Sequence, residues 1–174
     1  MNIIRWTPIT NCTLYLPLCY QRKGTELWFG SMFSIPTQQL LHSFDIVINC
    51  TSLNIITRQQ CQSLCIPTGR ILSLSLQEWN PLLDCLHFIT LQKWLFFYLD
   101  KNYLQRGKRI LLVCYAGKHR SPSLLIGLLR YIYTKQHQSP SHSVYEWIKK
   151  LRYDTNDSSI LRDGVFNIYK LAFI

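Results

Sequence analysis

The stretch RILLVCYAGKHRSPSLLIGLLRYIYTK, residues 109–135, decides the fold. Its opening, RILLVC (109–114), is a continuous apolar run and reads as a central strand buried on both faces. Its close, SPSLLIGLLRYIYTK (121–135), reads as a helix. Ser121 is the expected N-cap and Pro122 the first helical residue, where a missing N–H leaves no bond unmade. Between them, Cys114 and Arg120 stand six residues apart in one loop. A helix N-terminus offers unpaired N–H groups and a partial positive charge. Ala116 and Gly117 leave the backbone uncovered, so several N–H groups can converge on one anion. The Arg120 guanidinium adds a planar fork that matches two oxygens of a phosphate. Cys114 at the mouth of this cradle feels the same field, which favours its thiolate. A thiolate under a bound phosphate is placed for in-line attack. Taken singly, Cys114 reads as a core thiol and Arg120 as a surface cation. The strand–loop–helix context and Gly117 between them favour the joint reading.

The rest of the chain alternates strands and helices. LWF (27–29) is a short strand that stops at Gly30. IPTQQLLHSF (35–44) reads as a helix with Pro36 in its first turn, and FDIVINC (44–50) as a buried strand. GRILSLSLQE (69–78) alternates at period two, with Leu72, Leu74 and Leu76 on one face and Ser73 and Ser75 on the other. From about 84 to 105 the period turns helical through Phe88, Leu91, Leu95 and Leu99, with Gly107 as the stop. Asp100 falls on the solvated side of that helix. QHQSPSHS (136–143) is a polar loop, and VYEWIKKLRY and SILRDGVFNIYKLAF are two closing helices. The expected fold is α/β: a single central mixed or parallel sheet of four to five strands flanked by helices. One domain spans residues 1–174, with its core at about 27–173. The loop at 114–120 then lies at the carboxyl end of a central strand, where open α/β sheets bind ligands.

Composition narrows the function classes. A chain of 174 residues that is 48% hydrophobic is long and apolar enough for a substantial core. The richest stretch, LHFITLQKWLFFYL (86–99), is interrupted by Gln92 and Lys93, so no membrane span is expected. The N-terminus lacks a basic start, a long apolar block and a small-residue cleavage site, so no secretory signal is expected. Seven cysteines, an odd number without a paired framework, read as reduced thiols of a cytoplasmic or nuclear protein. Cys61 and Cys65 have no matching cluster to complete a zinc site, and neither metal nor cofactor is expected. The net charge of +10 points to anionic partners, although its cations are scattered along the sequence.

The Cys114-x5-Arg120-Ser121 pattern resembles the signature loop of the cysteine-dependent protein tyrosine phosphatase superfamily, specifically the small dual-specificity phosphatases. LWFGSMFSIPTQQLLHSFDIVINCTS (27–52) is similar to that family's early strand, helix and second strand, and SHSVYEWIKKLR (141–152) to a later helix. The resemblance implies that Cys114 forms a phosphocysteine intermediate. Arg120 would bind the phosphate and the transition state, and the Ser121 hydroxyl would assist departure of the thiolate. Tyr115, Ala116, Gly117, Lys118 and His119 would line the phosphate together with Arg120. The implied substrates are phosphorylated proteins at Tyr, Ser or Thr. The chain departs from the family at Val113, where the family has His.

It departs again at the general acid, for which the family uses an Asp after the strand preceding the long helix. Glu78 follows the LSLSLQ strand in register but is Glu, and it lies 36 residues before Cys114. Asp84 is the right residue type, 30 residues before Cys114, and doubles as N-cap of the long helix. A site with no side-chain acid is the third alternative, suited to a leaving group that needs no proton. Lys118 and His119 place two cations beside the nest, which favours a multiply charged ligand. The GKHR segment resembles that of atypical plant and fungal phosphatases acting on inositol pyrophosphates, and Lys118 also matches a phosphoinositide 3-phosphatase loop. Inositol phosphates, phosphoinositides and RNA 5′-phosphates are therefore alternative substrates, and a phosphate-binding pseudophosphatase is a further reading.

Overall fold

In this computed structural model the described residues are the backbone of 14–19 together with 24–32, 42–53, 68–76, 90–91 and 94–136. They form a five-stranded sheet. The strands are β1 (Leu14–Cys19), β2 (Glu26–Ser31), β3 (Ile46–Asn49), β4 (Ile71–Ser73) and β5 (Arg109–Cys114), in the order β1-β2-β5-β3-β4. β2, β5, β3 and β4 are mutually parallel, and β1 adds antiparallel to β2 at the edge. The mixed α/β sheet expected from the sequence is thus present. β5 is central, flanked by β2 and β3, and every residue of it after Arg109 is buried.

β1 was not legible in the sequence. Its segment LYLPLC carries Pro17, which cannot donate to a ladder and belongs at an edge or a bulge. Both conditions hold: β1 pairs on one side only, and its register shifts between Tyr15 and Leu18. The 69–78 segment corrects a second expectation. Among its described residues only Ile71–Ser73 pairs as strand, although burial continues to alternate through Leu74 and Leu76. Ser75 takes a left-handed backbone, φ +54°, which ends the extended run.

Helix α1 (Arg120–Lys135) packs against β5 and β2. Residues 120–129 are all buried, as befits a helix apolar on every side. Its N-cap is His119, not Ser121, and Pro122 sits in the third helical position. The first intrahelical bond runs from the Ser123 N–H to the His119 carbonyl, so Pro122 interrupts nothing. Helical residues 94–99 continue into a π turn, Asp100–Leu104, and Gly107 (φ +65°) follows as the expected stop. Asp100 is buried rather than solvated and pairs with Lys135, tying this helix to the end of α1. No helix among the described residues is long and apolar enough to cross a membrane. The helices expected at 35–44 and after 143 lie outside the described residues, apart from the last few positions of the first.

At the amino end of the parallel strands, Asp45 clamps β3 to β5. Its carboxylate accepts from the Arg109 N–H (2.8 Å) and pairs with Lys108 (2.9 Å), while its own N–H donates to the Arg109 carbonyl (2.9 Å). Burial alone would raise this carboxyl, but the Arg109 N–H and the Lys108 ammonium outweigh it and hold it below the usual carboxylate value. A lowered folded value means the clamp's stabilisation is present above the unfolded value of about 3.9 and is lost as pH falls through the folded one. Asp45→Asn should therefore lower the thermal midpoint at neutral pH, and the gap from wild type should shrink in scans taken below about pH 3.9.

At the opposite end of the sheet, Gly117 (φ +72°) lies on the last peptide of β2. A Cβ there would stand 2.6 Å from both Gly30 C and Ser31 N. The left-handed backbone alone costs a side chain about 1–2 kcal/mol, and the overlap is with rigid backbone. Gly117→Ala should destabilise the fold by at least that amount in chemical denaturation. A cost below about 0.5 kcal/mol would mean that the loop does not rest on β2.

Candidate active site

The ends of β5 and β2 meet at the loop after β5. β5 delivers Cys114, which is buried at 2% exposure. β2 ends beside it, with Ser31 paired to Cys114 and Gly30 to Val113 in the parallel register. The Ser31 hydroxyl donates to the Tyr115 carbonyl (2.6 Å), and Gly117 packs on the Gly30–Ser31 peptide. The loop is thus fastened to β2 at its first residue and again at its third after Cys114.

Ser121 enters the first turn of α1 fully buried. Its hydroxyl lies 3.3 Å from the Cys114 sulfur and 3.3 Å from the Gly30 carbonyl. The expected capping role falls away, because the hydroxyl is directed at the thiol instead. A hydroxyl in that place can donate to a thiolate.

Arg120 is 4% exposed, not a surface cation. Its Nη1 donates to the carbonyls of Leu76 (2.7 Å) and Cys50 (3.4 Å). Burying a guanidinium costs several kcal/mol unless it is bonded, and bonds from a charged donor return about 1.5–3 kcal/mol each. The two carbonyls therefore fix the plane of the fork as well as its position. Both are themselves held by local structure. Beyond β3, the Asn49 side chain accepts from the Thr51 N–H (2.9 Å) and hydroxyl (2.9 Å) and donates to the Leu53 carbonyl (2.7 Å). The Cys50 N–H bonds the Val113 carbonyl (2.8 Å). Beyond β4, the left-handed Ser75 turns the chain so that Leu76 O meets the arginine.

The remaining loop residues differ in exposure. Tyr115 and Ala116 are exposed, Gly117 is buried, and Lys118 and His119 are partly buried. Val113 is 1% exposed in the core and carries no polar group toward the loop. Glu78 and Asp84 lie outside the described residues. No cluster of His, Cys, Asp and Glu that could hold a metal occurs among the described residues. Ser31, Asn49, Thr51 and Ser75 were not singled out by sequence reasoning as site residues. Asn49 is wholly buried. A polar Asn closing an apolar strand was the one available signal.

No protein-family model matches the chain. No curated protein matches it. Solved structures do share its architecture. A leucine rich repeat and phosphatase domain containing protein from Entamoeba histolytica has a TM-score of 0.54 at 16% identity, covering 90% of this chain and 89% of that one. The Yvh1 phosphatase domain from Chaetomium thermophilum gives 0.52 at 17% identity, covering 83% of this chain and 88% of that one. Kinase associated phosphatase, with its catalytic-site cysteine substituted by serine, gives 0.50 at 16% identity, covering 94% and 93%. At such identities the likeness is one of fold: the chain shares the α/β architecture of these phosphatase structures.

Proposed function

We propose that the chain is a cysteine-dependent phosphatase that hydrolyses phosphate monoesters of the dual-specificity type, acting as a single catalytic domain. The observation that carries this reading is the buried Cys114 sulfur 3.3 Å from the Ser121 hydroxyl, in a loop whose closing Arg120 is pinned by backbone carbonyls. Cys114 attacks phosphorus, the P–O bond to the leaving group breaks, and the phosphoryl group rests on sulfur. Arg120 and the loop N–H groups hold the equatorial oxygens through both transition states. Water then attacks the phosphocysteine, and Ser121 donates to the departing thiolate. Glu78 or Asp84 protonates the leaving oxygen in the first step and activates water in the second.

Two features favour variants of this reading. Lys118 and His119, partly exposed beside Gly117, suit a non-protein polyanion such as an inositol phosphate, a phosphoinositide or an RNA 5′-phosphate. Val113 in the family's His position suits a weakly catalytic phosphate-binding module. A substrate panel of phosphopeptides, inositol phosphates and triphosphorylated RNA separates the first two. Phosphate binding without turnover identifies the third.

Cys114→Ser should abolish turnover of a small aryl phosphate while inorganic phosphate still raises the thermal midpoint. Arg120→Lys should lose both, with turnover down by about 10²-fold or more, since an ammonium cannot reproduce the fork. Undiminished turnover in Cys114→Ser would exclude the covalent route.

The acid is identified by its leaving-group dependence. Glu78→Gln should slow hydrolysis of a tyrosyl or alkyl phosphate by about 10²-fold and an activated aryl phosphate far less. Asp84→Asn should have little effect on rate and little on stability, since Asn caps a helix about as well as Asp. The reverse pattern assigns the acid to Asp84. Indifference of both variants to the leaving group means that the site uses no side-chain acid.

A further inference from the structure

We infer that the outward face of the helix at 94–101 is a binding surface for single-stranded nucleic acid, separate from the loop at Cys114 and independent of the phosphatase reading. Leu95, Phe96, Leu99 and Asp100 form the buried face of this helix. Trp94, Phe97 and Lys101 recur at steps of three and four, hence on one line down the opposite side. All three are exposed, Trp94 at 52% and Phe97 at 58%. Two neighbouring aromatic rings left in water on an otherwise well-buried helix call for a partner.

The geometry of Trp94 says what kind. Its ring lies parallel to that of Tyr98, with planes 8° apart and centroids 5.5 Å apart. One indole face is thus backed by Tyr98 while the residue stays half exposed, a platform on which a nucleobase can continue the stack. The charge is complementary. Lys101 follows Phe97 by one turn, and exposed Arg106 and Arg109 lie just beyond the helix. Among the described residues, the carboxylates Asp100 and Asp45 are engaged, with Lys135 and Lys108 respectively. Two rings followed by a cation along one line match stacked bases beside a phosphate of a single strand. A lipid surface fits less well. Lys101 stands in the line of the rings rather than flanking it, so an inserted face would carry a charge into the acyl region.

The test uses the full chain and a fluorescent oligouridylate of about 12 nucleotides with a 5′-hydroxyl, which offers the Cys114 loop no terminal phosphate. Anisotropy titrations should show binding that weakens with salt. Trp94→Ala and Phe97→Ala should each weaken it by about 10-fold, and Trp94→Phe should retain most of it. Lys101→Glu should weaken binding and reduce the log–log salt slope by about 1. Turnover of a small aryl phosphate should be unchanged in Trp94→Ala. Should Trp94→Ala lower the thermal midpoint, Trp94→Phe and Lys101→Glu carry the comparison. Absence of binding at low salt, equal binding of a duplex, or indifference to the ring substitutions would overturn the proposal. So would phosphatidylserine vesicles that bind in a Trp94-dependent way while the oligonucleotide does not.

Discussion

The contact of Gly117 with the last peptide of β2 is the constraint on which the site depends. A loop leaving a central strand for a helix must either stand off the sheet or lie on it. Here it lies on it, because residue 117 has no side chain and accepts a left-handed backbone. That approach brings the Tyr115 carbonyl to the Ser31 hydroxyl and the Ser121 hydroxyl between Gly30 and Cys114. Sheet packing and site geometry are therefore one arrangement. The strand that supports the loop is parallel to β5 and ends at the same level.

Polar groups at the two ends of the sheet do different work. At the amino end, Asp45 joins β3 to β5 through backbone and ammonium donors, a neutralised contact with no part in the loop. At the carboxyl end, the charge-bearing group is Arg120, bonded to neutral carbonyls and so still cationic toward a ligand. Arg120 thus stands at the carboxyl end of the strands, where α/β sheets conventionally receive ligands.

The core of this organisation was legible in the sequence because it is local. RILLVC specifies a central strand and the apolar run after Arg120 a buried helix, which leaves the loop between them at the carboxyl end of the sheet. The parts that were not legible are non-local or conformational. Pro17 disguised β1, whose pairing depends on an edge of the sheet that no local pattern reveals. Ser75 interrupted a clean period-two pattern by changing a backbone angle without changing hydropathy. Ser121 looked like a cap because Ser before Pro usually is one. Its hydroxyl is instead claimed by a sulfur on the neighbouring strand. Asp100 looked solvated because its partner, Lys135, is remote in the chain.

The acceptors that hold Arg120 are main-chain oxygens, at positions 50 and 76, rather than carboxylates. An oxygen of the backbone survives every substitution at its own residue. The identity of the side chains there is thus free to drift so long as they pack, and the orientation of the guanidinium is inherited from chain path alone. An arginine geometry encoded in this way leaves almost no trace in aligned letters. It offers a physical reason why three-dimensional likeness to proteins at 16–17% identity can persist where sequence comparison finds nothing.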